Sequence, residues 1–282
     1  MYFVYTINEM SKTLIIGTAL IDHLIYSDSP LQENICNKVP NRLYSGGSMR
    51  NVAFNLGVLG CPVDFLAVWG DDFYGQQLQK ELKEKGITCH GPVISQASPI
   101  FTALFNPAQN YLISSITPSF QITANYDFPY QNYDLLVSDV DDEFLYAQII
   151  SQNPQAKFVF SSFLPQPKYA SHITGIILNR HEFKKQNGDE NYQAMLTKYP
   201  HSWLVVTQDE MGVYYCHQGS SAKLEGSAGS CWGFPIGCGD AFTAGLLIQL
   251  LNNQDFPTAV KYGKQLADQL YLTPDNVITK PL

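Results

Sequence analysis

The sequence predicts an α/β protein with a doubly wound, mostly parallel sheet flanked by helices and a small β-sheet lid. Three observations lead there. Short apolar runs rich in Val, Ile, Leu and Phe alternate with amphipathic helical stretches over most of the 282 residues, as in parallel sheets buried on both faces. Glycines stand where the periodic stretches stop, at Gly60 and Gly86, positions that suit a helix C-terminus. Two segments, 24–45 and 99–122, lack helical periodicity and exceed ordinary connection lengths, which suggests a lid or binding loop.

Taken in order, Leu14-Ile15-Ile16-Gly17 reads as a buried strand. Met49, Val52, Ala53, Leu56 and Leu59 follow helical spacing. Phe65–Val68 is a second strand, and Phe73–Lys85 a helix with Leu78 and Leu82 inward. The stretch 99–122 is β-rich with a turn at Asn106-Pro107. Further strands are expected at Leu135–Val137, Phe158–Phe160, Ile176–Leu178 and Leu204–Val206. Two helices follow, Ala241–Leu251 and Pro257–Leu270, the second with proline in its first turn. No internal repeat or low-complexity linker divides the chain, so 1–282 is expected to be one domain, its lid formed by about 24–45 and 99–122. Residues 1–9 read as a leader before an alternative start at Met10.

Composition narrows the function. A net charge of −8 argues against a nucleic-acid polymer or an anionic membrane as the main partner. There is no run of eighteen apolar residues and no signal-peptide pattern. The six cysteines form no C-x-x-C pair, and most of them are expected to be reduced, buried thiols in a cytoplasmic protein. The histidines show no H-E-x-x-H pattern.

The chemistry concentrates in Gly237-Cys238-Gly239-Asp240, a glycine turn opening an apolar helix. Unpaired N–H groups and the helix dipole attract anions there. A carboxylate in that place would repel a phosphate ligand, but it suits a base that deprotonates a hydroxyl while the N–H groups hold the arriving phosphoryl group. The alternative is an Asp that merely caps the helix. A second glycine element, Ser45-Gly46-Gly47-Ser48-Met49-Arg50-Asn51, opens the first long helix. Asn51 and Asn55, one turn apart, could each donate to and accept from vicinal sugar hydroxyls, or simply be solvated. Asp22 follows the first strand, where open α/β sheets gather ligand-binding groups, though a loop Asp also serves as a turn former. Asn179 and Glu182 follow the Ile176–Leu178 strand and could hold Mg²⁺ through waters, or form a helix cap.

The order strand–Asp22, Gly46-Gly47-x(3)-Asn51, Gly70-Asp71-Asp72-x(2)-Gly75, Asn179-x-x-Glu182, Thr207-x(4)-Gly212 and Gly-x-Gly-Asp240 resembles the ribokinase-like (PfkB) carbohydrate kinase family across nearly the whole chain. In wording, the runs Gly46–Asn51 and Gly70–Gly75 look most like pseudouridine kinases. The resemblance implies ATP-dependent transfer to a primary hydroxyl of a sugar or nucleoside, with ATP and Mg²⁺ as cofactors. It implies Asp240 as base, and Gly237, Cys238 and Gly239 as anion hole. Asp22, Gly46, Gly47, Asn51 and Asp139 would contact the acceptor. Asn179, Glu182, Thr207 and Gly212 would serve the nucleotide, with Glu182 reaching Mg²⁺ through water. In the family the lid often forms a homodimer interface.

Departures temper the resemblance. Phe234-Pro235-Ile236 replaces the usual Asp-Thr-Thr, which weighs against a monovalent-cation site. Leu20 replaces a frequent Asn near Asp22, and Asp209 occupies a usual glycine position beside the nucleotide. The rivals are a kinase for ribose, a fructose-type sugar or a sugar phosphate, a non-catalytic nucleotide- or sugar-binding relative, and an NAD-dependent oxidoreductase. No G-x-G-x-x-G follows the first strand, which counts against the last.

Overall fold

The computed structural model describes residues 12–226 and 236–282. Its elements in chain order are β1 (Thr13–Ile16), β2 (Leu20–Tyr26), β3 (Asn41–Gly46), α1 (Ser48–Val58), β4 (Asp64–Leu66), β5 (Trp69–Gly70) and α2 (Phe73–Glu84). Next come β6 (Thr88–His90), β7 (Val93–Ile94), β8 (Ile100–Phe105), β9 (Tyr111–Ser114), β10 (Leu135–Ser138), α3 (Glu143–Gln152) and β11 (Lys157–Ser161). The remainder are β12 (Ile173–Asn179), α4 (Arg180–Asn187), α5 (Tyr192–Leu196), β13 (Trp203–Thr207), β14 (Val213–His217), β15 (Ser220–Leu224), α6 (Cys238–Leu251) and α7 (Phe256–Tyr271).

Among the described residues the main sheet has nine strands in the order β15-β14-β13-β12-β11-β10-β1-β4-β6. It is parallel from β6 to β13, and only the β14–β15 hairpin runs antiparallel at one edge. Successive residues of a strand point to opposite faces, so each buried strand feeds two cores. Ile15, Phe65, Val137, Val159, Ile177 and Val205 meet α1, α2, α6 and α7 on one face. Leu14, Ile16, Leu66, Leu136, Phe158, Phe160 and Leu204 meet α3, α4 and α5 on the other. The doubly wound expectation holds, and α6 shows why its sequence lacks a polar stripe. Phe242, Ala244, Leu246 and Leu247 are all buried, and Gly245 lets the backbone of α7 approach at Gly263. Each large apolar side chain so buried contributes roughly 1.5–3 kcal/mol.

The second sheet holds four strands in the order β3-β2-β8-β9. It takes in Leu20–Tyr26 and stops at Ser114, so it begins earlier and ends sooner than the 24–45 and 99–122 segments. The stretch beyond it returns to the main body through buried Phe120 and Ile122. The turn at Asn106 joins β8 to β9, with the Asn106 side chain accepting from the backbone N–H of Ala108 at 2.9 Å and Gln109 at 3.1 Å.

Winding reverses at β1, which lies between β10 and β4. Chains leave such a point in opposite directions and open a crevice at the strand C-termini. Gly17 follows β1 there and Asp139 follows β10, close enough that a Cβ on Gly17 would sit 2.7 Å from Asp139 Oδ1.

No helix among the described residues is long and apolar enough to cross a membrane. Nor does a disulfide join cysteines among the described residues. The expectation of buried thiols needs correction: Cys216 is buried, Cys36 is exposed, and Cys61, Cys89 and Cys238 are partly buried. Cys231, Phe234, Pro235 and residues 1–9 lie outside the described residues.

Candidate active site

Two helix N-termini meet at Asp240. Gly237 caps α6 with φ 83°, in left-handed backbone that glycine adopts without a Cβ clash. Ala241 N–H makes the first intrahelical bond, 2.9 Å to the Gly237 carbonyl. Helical geometry therefore assigns no intrahelical acceptor to the N–H groups before it, and no side chain caps this helix. Gly239 is exposed, and a Cβ there would meet nothing within 4 Å. The turn is thus open for a ligand's approach.

Asp240, in the first turn of α6, faces the first turn of α1. Ser48 Oγ donates to its Oδ1 at 2.6 Å, and Asn51 Nδ2 donates to its Oδ2 at 3.0 Å. Arg50 Nη1 donates to Asn51 Oδ1 at 3.3 Å, so the carbonyl end of that amide is engaged and the NH₂ end points at the carboxylate. Ser48 lies within the glycine element, but no role for it follows from the sequence: its position at the start of a helix resembles ordinary capping. Asn55, one turn on, departs from the sugar-contact expectation. It is fully buried, and its Oδ1 accepts from Ile278 N–H at 2.9 Å, tying α1 to the C-terminal segment.

Asp22 also sits differently from the expectation. It lies within β2, not in a loop after the first strand, and pairs with Tyr44 on β3 and Phe101 on β8. The chain crosses from the main sheet to the small one in only the few residues after β1, too short a link to read as a boundary. Asp22 is 5% exposed, and Asn276 Nδ2 donates to its Oδ2 at 3.0 Å. Gly46 is needed for this approach, since any Cβ would overlap Asp22 Oδ2. Gly47 forms the N-cap of α1. Leu20, paired with Gly46 and buried, occupies the same strand face as Asp22, with no polar group to offer a ligand.

Asn179 and Thr207 are register partners at the C-terminal ends of β12 and β13. Asn179 and Glu182 form a reciprocal capping box on α4: Asn179 Oδ1 accepts from Glu182 N–H at 2.8 Å, and Glu182 Oε2 from Asn179 N–H at 2.8 Å. The cap alternative thus describes their observed bonds. Gly212 is explained by packing, as it has φ 94° and a Cβ would overlap the Leu224 carbonyl. Asp209 is exposed, at φ 48°, and its field acts on Arg180. The run Gly70–Gly75 is structural too. Asp72 caps α2 by accepting from Gly75 N–H at 2.7 Å, and it also accepts from Ser98 N–H at 2.8 Å and Ser98 Oγ at 2.7 Å.

Electrostatics link these groups. Burial pushes the Asp240 carboxyl up to about 7, the Ser48 and Asn51 donors pull it down, and Asp22 and Glu182 add repulsion. Asp139 is likewise raised to about 7 by burial, then by Asp240 and Glu182. Asp22 is raised to about 6 by burial, against the Asn276 hydrogen bond and the Arg50 charge. Burial also raises Glu182. Asp240, Asp139 and Glu182 therefore share one field, and such groups titrate as a set. Among the described residues, no group of three or more His, Cys, Asp or Glu side chains forms a metal cage. Mg²⁺ usually keeps several waters and takes only one or two carboxylates besides phosphate oxygens, a mode that needs no such cage.

Residues 10–275 match the pfkB family of carbohydrate kinases. A 104-residue stretch is 31% identical to the uncharacterized sugar kinase YeiI of Escherichia coli K12, covering 36% of this chain and 29% of that protein. Over 91% of this chain and 89% of the other, identity to Escherichia coli K12 pseudouridine kinase is 25%. The Arabidopsis thaliana ribokinase structure complexed with ribose and ATP superposes with a TM-score of 0.75 at 13% identity, covering 96% of each chain. That likeness shows the ribokinase-like fold, and the family match extends along nearly all of the sequence. This chain belongs to the pfkB family of carbohydrate kinases.

Proposed function

We propose that this protein transfers the γ-phosphoryl group of ATP to a primary hydroxyl of a sugar or nucleoside, with Asp240 as the base. One observation carries the proposal: the Asp240 carboxylate lies in the open first turn of α6 and is oriented by Ser48 and Asn51. An acceptor hydroxyl lodged between Asp22 and Asp240 would give its proton to Asp240 as its oxygen attacks phosphorus. The Gly237–Gly239 backbone would receive the charge on the phosphoryl oxygens. Asp22, Gly46, Gly47, Asn51 and Asp139 would shape the acceptor side. Asn179, Glu182 and Thr207 would border the nucleotide, Gly212 shaping the adjoining turn. Mg²⁺, held through Glu182 and water, would neutralise phosphate charge. The small sheet would cover the crevice and exclude water as a competing acceptor. Its other face carries exposed Leu43 and Ile113 in one cross-strand row with His23 and Thr102, an apolar surface through which two copies would pair.

Pseudouridine is the favoured acceptor, supported by the named relative and by the wording of the Gly46–Asn51 and Gly70–Gly75 runs. The capping-box bonds of Asn179 and Glu182 give the non-catalytic alternative its support. A coupled ADP-release assay with pseudouridine, ribose, fructose and adenosine decides between these readings. ATP binding without turnover of any acceptor would favour the binding protein.

Two further results are expected. A base must be ionised to act, and Asp240 sits at about 7, so kcat/KM should fall as pH drops through the region near 7. A profile flat from about pH 5 to 8 would remove Asp240 as the titrating base. Gly46→Ala should displace Asp22 from its seat and lower kcat/KM for the acceptor by on the order of a hundredfold, with KM for ATP nearly unchanged. Equal losses toward both substrates would show general disruption instead.

A further inference from the structure

We infer that Asn276 is a positioning residue of the acceptor site, holding the Asp22 carboxylate and the Ser45 carbonyl together while its own carbonyl braces the Gly237 turn. This inference rests on the proposed reading of Asp22 as an acceptor ligand. Asn276 lies one residue beyond the stretch that matches the family and is 3% exposed. Its Nδ2 donates to Asp22 Oδ2 at 3.0 Å and to Ser45 O at 3.0 Å. Both partners are obligatory acceptors if Asp22 is ionised, so the amide has one sensible orientation and both its hydrogens are used. The backbone carbonyl of the same residue lies against Gly237, where any Cβ would overlap it. One residue thus touches both halves of the site: the carboxylate facing the acceptor and the turn that carries Asp240.

The segment around it is anchored at two other points. Tyr44 OH donates to the Pro274 carbonyl at 2.6 Å, and Ile278 N–H donates to Asn55 Oδ1 at 2.9 Å. These bonds fix Asn276 relative to β3 and α1, so its placement does not depend on its own side chain.

The charged groups facing Asp22 are Arg50 from α1 and Asp240 from α6, while Tyr44 on β3 has its hydroxyl committed to Pro274. From α2, Glu81 pairs with Arg50. Asn276 is a neutral donor among them, and it favours the ionised carboxylate that a sugar hydroxyl could donate to. Removing the donor should push Asp22 further above its present position and narrow the pH range in which it is ionised.

The test compares the wild-type protein with Asn276→Leu, which keeps the branched shape in a bulkier side chain and loses the donor, and Asn276→Asp, which replaces the donor with a like charge. In the leucine variant, carboxyl carbon NMR should show Asp22 titrating at higher pH. KM for the acceptor should rise about tenfold, the scale of one hydrogen bond to a buried charge, with KM for ATP within about twofold. The acid limb of kcat/KM should move to higher pH, and further in the aspartate variant. An unmoved Asp22 titration overturns the inference, as does a moved titration with unchanged acceptor KM. If the leucine variant does not fold, the aspartate variant carries the same criteria. The Asp22 titration needs no turnover, so an inactive wild-type protein would refute the kinase reading while the titration still decides the Asn276 contact.

Discussion

Replacing Asp240 by asparagine is expected to lower kcat by on the order of a thousandfold or more, with much smaller effects on the binding of either substrate. General-base loss accounts for about 10²–10⁴, and the oriented position between Ser48 and Asn51 places this residue at the upper end. The same substitution should act on stability in a pH-dependent way. The folded carboxyl is raised from 3.8 to about 7, so the folded state holds its proton more tightly than the unfolded chain. Its contribution is full below the unfolded value and disappears as pH rises through the folded one. The stability of Asp240→Asn relative to wild type should therefore improve as pH rises from about 4 to about 7, so that it is better at pH 8 than at pH 5, even as activity is lost. Urea midpoints at both pH values, with single-turnover rates, check the pair of effects. A kcat within tenfold of wild type would remove the proposed base.

Glu81→Ala should destabilise the fold even though Glu81 is itself only partly buried. Arg50 is 1% exposed and pairs with Glu81 at 2.5 Å. Burial lowers the guanidinium to about 10, against the Glu81 charge. Its other bonds, to the Ser45 carbonyl at 3.2 Å and Asn51 Oδ1, carry no full charge. Without Glu81 the buried cation keeps the field of Asp22 and the face of the Phe54 ring, and breaking a buried pair costs about 3–5 kcal/mol. Because Glu81 is 31% exposed, water replaces part of what is lost, which puts the expected cost at about 2–3 kcal/mol. Chemical denaturation measures it, and a change below about 0.5 kcal/mol would mean that water solvates Arg50 unaided. Activity should fall as well, through the Arg50–Asn51–Asp240 chain of hydrogen bonds.

The parallel sheet was legible because its strands are buried on both faces and read as unbroken apolar runs. Asp240 and Asn51 were legible as candidates because each follows glycines at a helix start. Their contact was not deducible from spacing, since it spans 189 positions. Other signals were ambiguous in kind. Asn179 and Glu182 carry the spacing of a capping box, and the structure shows those bonds. Gly212 reads as a ligand-facing glycine, yet the Leu224 carbonyl already requires it. Asn276 gave no signal at all, because a single Asn after a Pro-Asp pair looks like a turn. Its role comes from partners brought together only by the tertiary fold.

The bond between Asp22 and Asn276 closes a separation of 254 residues. On the ribosome, at roughly 5–20 residues per second, Asp22 would wait tens of seconds for its donor. Over that interval the small sheet can form from β2, β3, β8 and β9 while its inward carboxyl lacks the amide. Long-range closures of this sort are slow to nucleate. The site would mature last, after the scaffold around it.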